Sequence, residues 1–262
     1  MQRSLFIAAT GMEAQRLNID VISNNLANVN TTGYKKSRAD FQELLYQGIK
    51  TAGATSAEGT ELPTGIQVGL GVKPAAVQKM FSQGDFVSTG NRLDMVIEGE
   101  GFFQINNPDG DLAYSRAGAF KLDSSGQLVN SDGYVMEPAI TVPANTLEIT
   151  INSDGTVSVL QAGSTTPTQI GQIELAKFAN PGGLTAIGKN LFLPSGSSGD
   201  ATTGNPGSEG LGTINQGFLE MSNVNVVEEM VNMIVSQRAY ELNSKVVQSS
   251  DEMLAMTNNL KR

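Results

Sequence analysis

Three carboxylates, Asp94, Glu98 and Glu100, lie close together around "MVIEGEGFFQI". Two carboxyl groups on one hairpin could divide acid and base roles, as in glycoside hydrolysis. Here they flank a hairpin rich in ordinary surface carboxylates, and the spacing assigns them no such role. "GSSG" at Gly196–Gly199 falls short of the G-x-S-x-G nucleophile elbow, and the chain has no His to serve it. There is no GxxxxGK[ST], and no GxGxxG after a strand; "GEGFF" at Gly99–Phe103 reads as tight β packing. "PDGD" and "NSDG" offer oxygens without the closing Glu of an EF-hand. Tyr34, Tyr114, Tyr134 and Tyr240 read as packed or interfacial rings, and Lys35-Lys36-Arg38 is too small a basic group to cradle a phosphate. The residues therefore assign no catalytic, cofactor or metal site, and the expectation is a protein that is not an enzyme.

Composition narrows the classes further. The 262 residues suffice for a sizeable core or for two domains. Absent Cys excludes disulfides and thiolate metal sites, and absent His removes the usual general base and zinc ligand. Residues 51–218 hold seven Lys/Arg against sixteen Asp/Glu, which accounts for the whole net charge of −9. An acidic middle disfavours nucleic acid, whose phosphates need a basic footprint. No apolar run is long enough to span a membrane, and Leu5–Ala9 is too short for the core of a cleavable signal peptide. The expectation is a protein without membrane insertion that stays in the cytoplasm or leaves by a route needing no such signal.

The two ends carry helical periodicity. Met1, Leu5, Ala8, Met12, Gln15, Ile19, Ile22, Leu26 and Val29 alternate steps of four and three, a heptad seam stopped by Thr32-Gly33. Gly11 within it costs about 1 kcal/mol relative to Ala, which points to close approach by a neighbour. At the other end Val235, Ala239, Leu242, Val246, Ser249, Met253, Met256 and Leu260 repeat the pattern, with Val224, Val227 and Val231 extending it upstream. Asn225 with Glu228 reads as a capping box, with Ser222 and Asn225 the weaker alternative. Asn-Val-Asn occurs at Asn28–Asn30 and again at Asn223–Asn225, marking where one helix ends and the other begins. The two seams suit pairing with each other. Each is thin, so residues such as Leu17, Val227, Met230 and Ile234 are left partly uncovered, and contact between copies of the chain is the sharper explanation.

Between the ends the period changes. Short runs of alternating Val and Ile are separated by Asp-Gly at 109–110, 132–133 and 154–155 and by Asp123–Gly126, which are hairpin signals. The expected fold class is α+β: terminal helices paired as a coiled coil around a central antiparallel, mainly β domain. The expected boundaries are 1–33 for the N-terminal helix and 34–83 for a partly extended connector. A β domain at 84–193 and a Gly/Ser-rich return at 194–221 precede the C-terminal helix at 222–262.

Three stretches are specific enough to compare. "ISNNLANVNTTGYKKSRADFQELLYQ", "SQGDFVSTGNRLDMVIEGEGFFQI" with "YSRAGAF", and "NVNVVEEMVNMIVSQRAYELNSKVVQSSDEMLAMTNNL" resemble, in order, the signatures of the bacterial flagellar rod and hook family. Leu45–Val72 and Val135–Asn145 look most like the distal-rod branch, while the loop 194–212 is more Gly-rich than expected. The resemblance implies a structural subunit polymerising helically into a hollow drive shaft that carries torque from motor to hook. It implies terminal helices along an export channel, surrounding rings in the peptidoglycan and outer membrane, other rod and hook-type partners, and passage through the flagellar export apparatus into a basal body spanning the periplasm. The suspected assembly residues are Leu5, Met12, Ile19, Ile22, Leu26, Val29, Val227, Val231, Val235, Leu242, Val246, Met253 and Leu260. The junction residues are Asn28, Asn30, Gly33, Asn223, Asn225 and Glu228. A proximal rod or hook subunit, a secreted β-domain adhesin, or a soluble enzyme with helical ends are the alternatives.

Overall fold

Helix α1 (Gln2–Ala27) and helix α2 (Val226–Asn259) form where the heptads run. The computed structural model describes residues 2–51, 55–57, 60–61, 63–108, 110–164 and 166–259. Met1, Asp109, Leu260 and parts of Thr51–Gly65 lie outside these described residues. α1 ends at Ala27, so Asn28, Val29 and Asn30 occupy the turn beyond it rather than its last heptad. That turn is closed by Thr31 N–H donating to Asn28 O at 3.1 Å and Thr31 Oγ1 donating to Asn28 Oδ1 at 3.2 Å. α2 starts as its N-cap predicts: Asn225 Oδ1 accepts from the N–H groups of Val227 at 3.0 Å and Glu228 at 3.3 Å. With no Gly or Pro inside, α2 runs about 50 Å.

The chain divides into two units, one of Met1–Leu26, Ser37–Gln78 and Asn225–Arg262, the other of Ala27–Lys36 and Lys79–Val224. In the first unit, α1 and α2 touch along a line of small and polar residues. Ser4 Oγ lies 3.3 Å from Ser250 Oγ, Asn18 Nδ2 donates to Ser236 Oγ at 2.9 Å, and Asn25 Nδ2 donates to Glu229 Oε2 at 3.3 Å. Between them, a Cβ on Gly11 would come within 2.9 Å of Asn243 Nδ2. Each step of seven up α1 meets a step of seven down α2, so the helices run antiparallel.

This contact line corrects the expected seam. On α2 the residues facing α1 are Glu229, Ser236, Asn243 and Ser250, one position along from Val235, Leu242 and Ser249. A one-residue shift rotates a helix by about 100°. Val227, Val231, Val235, Leu242, Val246 and Met253 consequently remain exposed. On α1 the shift matters less: Ala8 and Ile22 are buried, and Leu5, Met12, Ile19 and Leu26 are half-buried. The reason is packing distance, since Ser and Gly let two backbones approach where Leu against Leu would hold them apart. The expected connector holds two antiparallel pairs, Ser37–Glu43 with Val72–Lys79 and Tyr46–Lys50 with Ile66–Gly69.

In the second unit the strands Thr185–Gly188, Leu191–Leu193, Leu112–Ser115, Phe102–Asn106, Leu175–Lys177 and Thr202–Gly204 pair in that spatial order, with Met136–Glu137 also on Phe102–Asn106. Every pairing is antiparallel. The hairpin signals close as read: Gly133 N–H donates to Asn130 O at 3.1 Å and Gly155 N–H to Asn152 O at 3.0 Å. Alternation places Phe103 and Ile105 on one face and Phe102 on the other. Phe103 packs edge-on against Phe120, with centroids 5.2 Å apart, among Met95, Ile97, Leu128 and Leu175. Phe102 joins Phe81, Phe178 and Phe192 in a second cluster of edge-to-face rings. Phe103 is fully buried, so Phe103→Ala is expected to destabilise this unit by about 3–5 kcal/mol in denaturant titration followed by tyrosine fluorescence.

Candidate assembly surface and its buried ionic clasp

The carboxylates Asp94, Glu98 and Glu100 have structural partners. Asp94 is buried and accepts from Thr89 Oγ1 at 2.5 Å and Asn91 Nδ2 at 2.9 Å. Glu98 accepts from Asn215 Nδ2 at 2.8 Å, and Glu100 pairs with Lys177 Nζ at 2.6 Å. Lys35, read as part of a small basic group, is also engaged. It is among the most deeply buried side chains of the second unit.

Lys35 and Glu220 are each 1% exposed, with Nζ 2.6 Å from Oε1. Lys35 Nζ also donates to Ser82 O at 2.7 Å, while Glu220 Oε1 accepts from Gly84 N–H at 2.9 Å. Arg116 approaches from the sheet, with Nη1 3.8 Å from Glu220 Oε2 and Nη2 donating to Gly99 O at 2.6 Å. Burial pushes the Lys35 ammonium below its ordinary pKa, against the pull of Glu220, and lowers that of Arg116. Backbone reinforces the pair: Gly33 N–H donates to Glu220 O at 2.8 Å. Gly33 sits at φ +69°, where a Cβ would meet Ala117 N at 2.5 Å, so no other residue fits this turn.

Asn223 completes the clasp. Its Oδ1 accepts from Lys36 N–H at 2.7 Å, and its Nδ2 donates to Met80 O at 2.8 Å and to Ser82 O at 3.1 Å. One side chain thus ties three stretches of chain distant in sequence. Asn25 does the same in the first unit. Its Oδ1 accepts from Ser37 N–H at 2.8 Å, and its Nδ2 donates to Ser37 O at 2.9 Å besides Glu229. Of the expected junction residues, Asn30 is exposed, while Asn223, Asn225 and Gly33 make the contacts given above.

Sequence reading missed Lys35, Glu220, Arg116 and Asn25. A signal for Asn25 was present in the polar repeat Ser4, Gly11, Asn18, Asn25 at intervals of seven. Nothing local linked Lys35 with a glutamate so distant in the chain.

Away from the clasp, α2 carries a long row of exposed apolar side chains among the described residues. Val227 is 71% and Leu242 62% exposed, and Met230, Val231, Ile234, Val235, Val246, Met253 and Met256 are exposed with them. Among the described residues no helix is long and apolar enough to cross a membrane, and no three acidic groups are placed to hold a metal.

The architecture is that of an α+β protein whose chain begins and ends in one helical unit. Three protein-family models match it: "Flagella basal body rod protein" over residues 5–35, "Flagellar hook protein FlgE/F/G D1 domain" over 96–159, and "Flagellar basal body rod FlgEFG protein C-terminal" over 215–260. The flagellar basal-body rod protein FlgG of Borreliella burgdorferi is 53% identical over the full length of both chains. The FlgG proteins of Buchnera aphidicola subsp. Schizaphis graminum and Caulobacter vibrioides are 49% and 48% identical, over 96% and 99% of each chain. The chain belongs to the flagellar basal-body rod protein family.

The clasp makes a graded prediction. Lys35→Met leaves a buried carboxylate that Arg116 partly compensates, and is expected to cost about 3 kcal/mol. Glu220→Leu leaves two buried cations and is expected to cost more, about 4–5 kcal/mol. The double replacement should cost clearly less than the two single costs added. Equilibrium unfolding of the three variants checks the order and the coupling.

Proposed function

We propose that this chain is a structural subunit of the flagellar distal rod, polymerising helically into the hollow shaft that transmits torque from motor to hook. The bare apolar face of α2 carries this reading. A helix that spends its small polar line on α1 and leaves Val227, Val231, Val235, Leu242, Val246 and Met253 in water has surface to bury against further copies. Full-length similarity to FlgG rod proteins supports the same reading. The polar α1–α2 contacts register the two helices as an antiparallel coiled coil, and neighbouring copies supply the apolar packing. Leu5, Met12, Ile19 and Leu26, half-buried in the single chain, become fully covered in the polymer.

In this arrangement the terminal helices line the export channel. The peptidoglycan and outer-membrane ring proteins surround the shaft, which spans the periplasm after export without a cleaved signal. Torque transmission needs no turnover, in keeping with structural rather than enzymatic relatives. A proximal rod or hook subunit would share this face, whereas an adhesin would remain a monomer.

Leu242→Asp separates folding from assembly. Because Leu242 is mostly exposed in the single chain, the substitution should change its unfolding free energy by less than about 0.5 kcal/mol. Inside a packed interface the same carboxylate is unpaired and costs several kcal/mol. The variant is expected to be folded by circular dichroism, exported, absent from isolated basal bodies, and unable to support swimming. Motile cells carrying the variant in their rods would contradict the reading.

A further inference from the structure

The chain has no Cys, Trp or His, so two-electron oxidation by peroxides falls on its ten methionines. Their placement is uneven. Met95 and Met136, in the β core, are 0% exposed. Met12, Met80, Met221 and Met233 are half-buried. Met230, Met253 and Met256 are 52%, 44% and 58% exposed, and all three stand on the bare face of α2. No other described methionine is as open to solvent.

We propose that Met230, Met253 and Met256 make the unassembled subunit peroxide-sensitive, with methionine sulfoxide as a modification that blocks polymerisation. The inference rests on the assembly reading above. The thioether is flexible, apolar and polarizable, and fills irregular contacts between helices with little loss of fit. A hydroperoxide transfers its terminal oxygen to Sδ: one S–O bond forms, the O–O bond breaks, the sulfur is oxidised by two electrons, and water or an alcohol leaves. The product is a polar, strongly hydrogen-bond-accepting sulfoxide. Burying it against a neighbouring apolar helix without a donor is unfavourable. Val227, Val231 and Ile234 around Met230 offer no side-chain donor, and the hydroxyls one turn either side of Met253, Ser249 and Thr257, already donate to the helix carbonyls of Lys245 and Met253. Once a subunit is assembled the three sulfurs are covered, so the sensitivity is confined to subunits in transit.

The test uses the purified full-length chain, treated briefly with dilute hydrogen peroxide and compared with an M230L/M253L/M256L variant. Peptide mass spectrometry should find one added oxygen on each of Met230, Met253 and Met256 well before Met95 or Met136. Pelletable filament, scored by sedimentation and electron microscopy, should fall about tenfold or more for treated wild type. The triple-leucine variant should assemble equally with and without peroxide. Treated wild type that polymerises as well as untreated would overturn the inference and leave the assembly reading standing. So would an equal loss in the triple-leucine variant. Untreated wild type and triple-leucine chains that both stay monomeric would overturn the assembly reading itself, and the inference with it.

Discussion

An ammonium and a carboxylate taken out of water together, Lys35 against Glu220, hold the second unit closed. Such a pair is not a strong source of net stability, because desolvation offsets most of the attraction. Its effect is selectivity. Once buried, the Lys35 ammonium has Glu220 as its carboxylate partner, and any arrangement that separates them leaves charge poorly compensated in a low-dielectric interior. The residues around it follow from that requirement. Gly33 supplies the turn that delivers Lys35, Gly84 donates to the carboxylate, the Ser82 carbonyl accepts from the ammonium, and Arg116 adds a second positive charge beside Glu220 Oε2, an oxygen that has no hydrogen-bond partner. Segments far apart in the chain are thereby fixed in one register.

The helical unit solves a different problem with the same economy of polar groups. A long helix at each end of a chain, each with a continuous apolar face, would tend to pair through those faces. Here the intrachain contact runs through Ser4, Gly11, Asn18 and Asn25 against Ser250, Asn243, Ser236 and Glu229. Small groups and specific hydrogen bonds set the register, and the larger apolar side chains of α2 are left for other contacts. The same exposed stripe accounts for both the assembly reading and the oxidation chemistry inferred for its methionines.

Much of this was legible in the residues. Both helices, the Asn225 cap, the Asp-Gly hairpins and the α+β class follow from periodicity and turn chemistry, which are local signals. On α2 the helix-pairing line lies one residue away from the hydrophobic heptad, because small and polar side chains, not the apolar stripe, face α1. Periodicity identifies an apolar stripe but does not name its partner. In the sequence Lys35 stands as one of three charges in a small basic group, since nothing near it marks the distant Glu220 as its partner. Asp94, which belonged by composition to an acidic exterior, is instead satisfied by Thr89 and Asn91 inside its own turn. Long-range polar pairing is the part of a fold that local pattern does not carry.

The central claim is that the Lys35–Glu220 clasp is as firmly closed as the β core. Native-state amide exchange on the full chain tests it directly. The N–H groups of Gly33, Lys36 and Gly84 are bound to Glu220 O, Asn223 Oδ1 and Glu220 Oε1. The account predicts that they exchange only with opening of the whole unit, with the same protection as the Met95 N–H bound to Gly118 O in the core. Exchange about a hundredfold faster at these three positions than at Met95 would mean that the clasp opens on its own, and would contradict the account.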